Sequence, residues 1–173
     1  VCSSDLNSWT VSTNGLPQIS GFMPFTPNTS YSTYGSGYFD GTGDYLSYSG
    51  VSIGTNQYTI ECWFYLTGDF SIIRALFGVT TASVSRLSIR ITSSTSITVD
   101  QYNVANTSFA VPTIQRYQWN HVAVCRGTSG QTTLFFNGTR TSSGLQTNNT
   151  NYNVTASIGF LDTSDTKYFL GYI

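Results

Sequence analysis

Large apolar residues alternate with polar or small ones in four short phrases of this chain. They are Tyr38-Phe39-Asp40-Gly41, Thr59-Ile60-Glu61-Cys62-Trp63, Trp119-Asn120-His121-Val122-Ala123-Val124 and Leu134-Phe135-Phe136-Asn137-Gly138. A period of two places alternate side chains on opposite faces of an extended strand. Two of the phrases run into Asp-Gly or Asn-Gly, the residues a tight hairpin turn requires. Long Ser/Thr/Asn/Gly stretches separate them, and helix signals are nearly absent. The pattern predicts an all-β chain with strands near 37–39, 45–48, 58–66, 72–79, 86–92, 96–102, 118–126, 132–137, 154–159 and 167–173. Ten short strands punctuated by turns fit a two-sheet antiparallel β-sandwich.

The order, spacing and wording of those phrases resemble the laminin-G-like, concanavalin A-like lectin/glucanase jelly rolls, especially the modules of phage and bacterial surface proteins. The resemblance runs from about Gly35 to Ile173. It sets out a jelly-roll domain over 35–173 after an irregular lead-in over 7–34, whose Phe22, Met23 and Phe25 are expected to pack onto the sandwich edge. Residues 1–6, Val1-Cys2-Ser3-Ser4-Asp5-Leu6, read like a frame of a sequencing-adapter oligonucleotide and are set aside as a scar of a metagenomic fragment. In the resembling family the phrase matching Phe169-Leu170-Gly171-Tyr172-Ile173 continues further, so the closing strand is expected to be truncated.

Composition narrows the partners. Charged residues make up 9% of the 173 and aromatics 15%, with a net charge of −1, against about 25% charged in an ordinary soluble domain. Such a surface is polar without being ionic. It offers no long-range field for nucleic acid or an anionic membrane, and no apolar run approaches the ~20 residues of a membrane span. At this length an all-β sandwich buries its core as one unit.

The acids, the histidine and the cysteines bound the chemistry open to the chain. A glycoside hydrolase needs two carboxyls held roughly 5–10 Å apart. The chain has one glutamate, Glu61, and its aspartates sit mainly at turns, with no two acids on one strand face. Glu61 is expected to be a buried, hydrogen-bonded carboxylate, and His121, the lone histidine, a packed core residue rather than a base. Cys62 and Cys125 are expected at inward positions as free thiols; a disulfide would need Cα atoms within about 7 Å.

What the resemblance implies is a non-catalytic carbohydrate-recognition or adhesion module, extracellular, on a cell surface or on a virion such as a phage tail fibre, with glycans or cell-surface polysaccharide as partners. The alternative of another class is a structural module that packs against other virion or surface chains; a weaker one is a glycosidase. Loop aromatics and amides Tyr31, Tyr34, Tyr102, Asn103, Asn148, Asn149 and Tyr152 are the candidate sugar contacts. Many relatives hold Ca2+ with loop carboxylates, which makes Asp40, Asp44, Asp69, Asp162 and Asp165 the candidate calcium ligands, although turns favour Asp for local reasons as well.

Overall fold

The computed structural model describes residues 10–25, 35–53, 55–80, 86–101, 105–141, 146–147, 151–161 and 167–173. These residues form β1 (Val11–Asn14), β2 (Gln18–Ser20), β3 (Ser36–Asp40), β4 (Tyr45–Ser52), β5 (Tyr58–Leu66), β6 (Arg74–Thr80), β7 (Arg86–Ser93) and β8 (Ser96–Gln101). They continue as β9 (Ala105–Ala110), β10 (Trp119–Arg126), β11 (Gln131–Phe136), β12 (Thr139–Arg140), β13 (Gln146–Thr147), β14 (Asn153–Ile158) and β15 (Leu170–Tyr172). No helix of the described residues is long and apolar enough to cross a membrane.

Two antiparallel sheets form a sandwich of the concanavalin A-like jelly-roll kind. One has the order β1-β4-β14-β6-β7-β8-β9, the other β12-β11-β10-β5-β15-β3-β2, with β13 pairing β11. Every strand expected from the alternation is present, with shifted ends. Asn137 and Gly138, at φ 47° and 78°, make the two-residue turn from β11 into β12, as two left-handed positions in a tight hairpin demand. The lead-in, by contrast, is not irregular over its described residues, 10–25. It spans both layers, β1 pairing β4 in one sheet and β2 pairing β3 in the other. The edge strand β9 also escapes sequence reading, because Ala, Asn, Thr and Ser alternate too weakly; its inward Phe109 is fully buried.

The core lies between the sheets. From β5 come Phe64 and Leu66, from β10 Val122 and Val124, from β11 Leu134 and Phe136, facing Leu87, Ile89, Ile91, Ile97 and Val99 of the other sheet. The register of β5 with β10 sets Val122 opposite Cys62 and His121 opposite Trp63. That pairing places Trp119, His121, Ala123 and Cys125 on the outer face. His121 is therefore not a packed core residue, and Cys125 does not point inward. Cys62 and Cys125 are free, and because they lie on opposite faces of the sheet no bond can join them.

A polar cluster ties the two layers inside the sandwich. Gln101 Nε2 of β8 donates to Thr132 Oγ1 of β11 at 2.8 Å, both side chains being buried. Beside them the Arg126 guanidinium lies 4.7 Å over the Tyr58 ring and donates from Nε and Nη2 to the Asn56 carbonyl at 2.9 and 2.6 Å. Burial pushes the Tyr58 phenol up to about 12, against the opposing pull of Arg126. Burial likewise raises the Cys62 thiol to about 12, with Glu61 adding to it.

Both groups are held neutral by the fold, so the folded state keeps protons that the unfolded chain releases. Their contribution is complete below pH 9 and is lost as pH rises toward 12, Cys62 first and Tyr58 above pH 10. Two units at Tyr58 correspond to about 2 to 3 kcal/mol. Urea midpoints measured from pH 7 to 11 are expected to fall above pH 9, and Cys62→Ala with Tyr58→Phe to flatten that fall. A flat profile in the unaltered protein would contradict the assignment.

Candidate functional site

Of the nominated sugar contacts, one falls among the described residues. Tyr31, Tyr34, Tyr102, Asn103, Asn148 and Asn149 lie outside the described residues, as do Asp162 and Asp165. Tyr152 is described, and it is a correction. Its side chain is fully buried in the core, where its ring fills space between the sheets and can touch no glycan. Its carbonyl accepts the Ile53 N–H at 3.1 Å.

The nominated aspartates that are described, Asp40, Asp44 and Asp69, each accept backbone N–H groups. Asp40 accepts the Thr42 N–H at 2.7 Å and the Thr42 hydroxyl at 3.1 Å. Buried Asp44 accepts the Leu16 N–H at 2.7 Å, fastening the lead-in, and the Asp40 N–H at 3.3 Å. Asp69 accepts the Ser71 N–H at 3.1 Å and the Ser71 hydroxyl at 2.5 Å. Those bonds hold its carboxyl below the usual carboxylate range. Among the described residues no three His, Cys, Asp or Glu side chains converge as metal ligands.

A different constellation occupies the outer face of the eight-stranded sheet. Trp63, in the middle of the central strand β5, keeps 37% of its surface exposed although it is a large apolar residue on a sheet face. Directly across, the His121 ring lies 5.0 Å from it, centre to centre. Phe25 of the lead-in, itself exposed, meets the indole edge-on at 5.4 Å. Glu61, two residues before Trp63 on the same face, brings Oε2 to 3.7 Å from His121 Nε2. The carboxylate is 62% exposed, so Glu61 is not the buried, bonded group expected from sequence.

Next to this patch the same face is closed over. Phe22 sits on Tyr65, Trp119 and Tyr172 with ring centres 4.7, 5.2 and 5.0 Å away. The lead-in thus covers the outer face rather than the sandwich edge, and it leaves the Trp63 indole partly open between Phe25 and His121. The sequence carried the signal, since Trp63 and Tyr65 are too large for a plain solvent face, but the alternation does not say which of the two would be covered.

The arrangement offers an aromatic surface, a carboxylate acceptor and an imidazole within one side-chain length. It offers no acid pair. Asp40 shares the outer face but is paired with Leu170, whose carbonyl takes the Thr67 N–H. Asp40 therefore stands level with residue 67, about 20 Å along the strands from Glu61 at the usual rise.

Solved structures share this fold at low identity. Domains LG4-5 of the mouse laminin alpha1 chain match with a TM-score of 0.61 and 14% identity, over 79% of this chain and 38% of that one. Domain 4 of AbnA, a GH43 extracellular arabinanase from Geobacillus stearothermophilus in complex with arabinotriose, gives 0.63 and 13%, over 98% and 81%. The Ruminococcus gnavus IT-sialidase CBM40 bound to α2,3 sialyllactose gives 0.57 and 18%, over 72% and 83%. No curated protein sequence matches the chain. The family model Laminin_G_3, described as concanavalin A-like lectin/glucanases superfamily, matches residues 40–173, and the chain belongs to that family.

Proposed function

We propose that this domain is a non-catalytic carbohydrate-recognition module of an extracellular, cell-surface or virion-borne protein, with Trp63 as the platform on which a sugar ring stacks. The observation that carries the reading is the exposed indole on a central strand with Glu61 and His121 beside it. A sugar ring has an apolar face of C–H groups and a rim of hydroxyls. An aromatic plane takes the first, and a carboxylate with an imidazole takes the second. Glycan ligands are named for two fold neighbours, arabinotriose and sialyllactose. Glu61 and Asp40, about 20 Å apart along the strands at the usual rise, are too far apart to act as a hydrolytic pair, which needs two carboxyls roughly 5–10 Å apart.

A second reading has its own support. Leu16 and Ile19 of the lead-in are 84% and 97% exposed, apolar surface of the sort that a neighbouring chain in a virion or surface assembly covers.

A glycan array identifies a ligand, and titration of Trp63→Ala tests the platform. Loss of a central aromatic contact is worth about 2 kcal/mol, a weakening on the order of thirtyfold. A folded Trp63→Ala domain that binds as tightly as the parent would overturn the platform. A parent domain that binds no glycan would overturn the recognition reading in favour of assembly packing.

A further inference from the structure

A buried arginine without matching acceptors stands at one end of the sandwich. Arg74 begins β6 and is 6% exposed. A guanidinium carries five N–H donors and forms charge-assisted bonds at about 2.7–2.9 Å when it has a true partner. Arg74 makes one long hydrogen bond, from Nε to the Asp69 carbonyl at 3.4 Å, and one loose ion pair, to Asp69 Oδ1 at 3.6 Å. The Asp69 carboxylate is itself 59% exposed and engaged by Ser71.

A second arginine stands on the other side of the same segment. Arg116 donates from Nη2 to the Thr67 carbonyl at 2.7 Å and to the Tyr117 hydroxyl at 2.8 Å, with its guanidinium 4.9 Å over the Tyr117 ring. Its Nε is buried and has no hydrogen-bond partner. Tyr117, exposed, is held at φ 60°, a left-handed conformation that costs a residue with a side chain. Two glycines leave room around Arg74. A Cβ on Gly68 would come within 2.8 to 3.0 Å of its guanidinium atoms, and one on Gly41 within 3.6 Å of Nη1.

Two like charges across Thr67-Gly68 repel each other, and in a chain with so few charges the pair needs a reason. Asp69 and the nearby Asp40 offset the two positive charges, and what sets the rim apart is the underused donors on both guanidinium groups. We infer that the rim between Arg74 and Arg116 is a binding site for a monovalent oxyanion, the carboxylate of an acidic sugar such as a hexuronic acid. The choice of a sugar as its carrier rests on the glycan reading above; the anion site does not, and it is separate from the Trp63 patch. The Asp69 and Asp40 carboxylates beside the rim, engaged by Ser71 and Thr42 but still charged, disfavour more highly charged groups.

Arginine Nε–H resonances of the intact protein report on the site directly. At constant ionic strength, glucuronate is expected to shift the Arg74 and Arg116 signals saturably, and glucose to leave them in place. Arg116→Gln, at a partly exposed position, is expected to weaken glucuronate at least tenfold through loss of a charge-assisted bond. Trp63→Ala is expected to keep the glucuronate response, and Arg116→Gln to keep binding of a neutral oligosaccharide. Absence of any shift with either glucuronate or acetate would overturn the site, whatever the Trp63 patch binds. Acetate acting as strongly as glucuronate would support the anion site and overturn the sugar as its carrier.

Discussion

Gly171→Ala is expected to cost more than about 3 kcal/mol of stability, enough to unfold much of the population in a domain of ordinary marginal stability. Gly171 lies in β15, which runs between β5 and β3 in the eight-stranded sheet. Its φ is +139°, and a Cβ there would sit 2.0 Å from the Tyr65 carbonyl oxygen and 3.1 Å from the Thr67 nitrogen. Both obstacles are backbone of the central strand, so no side chain can swing away to make room. The β15 to β5 pairing of Gly171 with Leu66 would have to part, and with it the support under the Tyr65 and Tyr172 rings. Urea denaturation followed by tryptophan fluorescence measures the loss; a midpoint close to that of the parent would show that the strand can move aside.

Arg126→Met is expected to lose about 3 kcal/mol although it exchanges a charge for a well-sized apolar side chain. Arg126 is the largest fully buried side chain among the described residues. It bonds the Asn56 carbonyl through two nitrogens and faces the Tyr58 ring. Hydrogen bonds from a charged donor contribute about 1.5 to 3 kcal/mol, and a desolvated contact with an aromatic face about 1 to 2 more. Methionine restores packing but leaves the carbonyl without its donor. Arg126→Lys is expected to recover little, because an ammonium cannot reproduce the two-pronged fork. Thermal melts of the three proteins order them, and a Met variant as stable as the parent would show that the guanidinium only fills space.

Neither position announces itself in the sequence as a point of this kind. Gly171 falls in a phrase that reads as strand, and only the closeness of the Tyr65 carbonyl explains why a residue without a side chain stands there. Arg126 follows the apolar run of β10 and looks like the polar end of a strand. Its parity sets it on the inner face with Val122 and Val124, and the Asn56 carbonyl reaches it there.

The same division runs through the candidate site. That Glu61, Trp63 and Tyr65 share one face followed from their spacing. Whether that face is open or covered depended on Phe22 and Phe25, from a lead-in whose prolines and glycines hide two short strands. The loop tyrosines and asparagines drew attention because sugar sites use such residues. Yet Tyr152 lies in the core, since it precedes β14 on the inward side of a strand pair no local pattern reveals. Arg74 was not nominated at all, because an arginine at a strand start is ordinary until its burial and its shortage of acceptors are visible.

What the sequence determined by itself is the strand class, the parity of each strand and the hairpin turn at Asn137-Gly138, because a two-residue period and left-handed turn chemistry are local properties. Tertiary structure decided which parity faces the core in β10, what the lead-in covers and which charged groups are buried. Alternation sorts side chains into two sets; only the partner strand across the sheet and the layer above it choose which set water reaches.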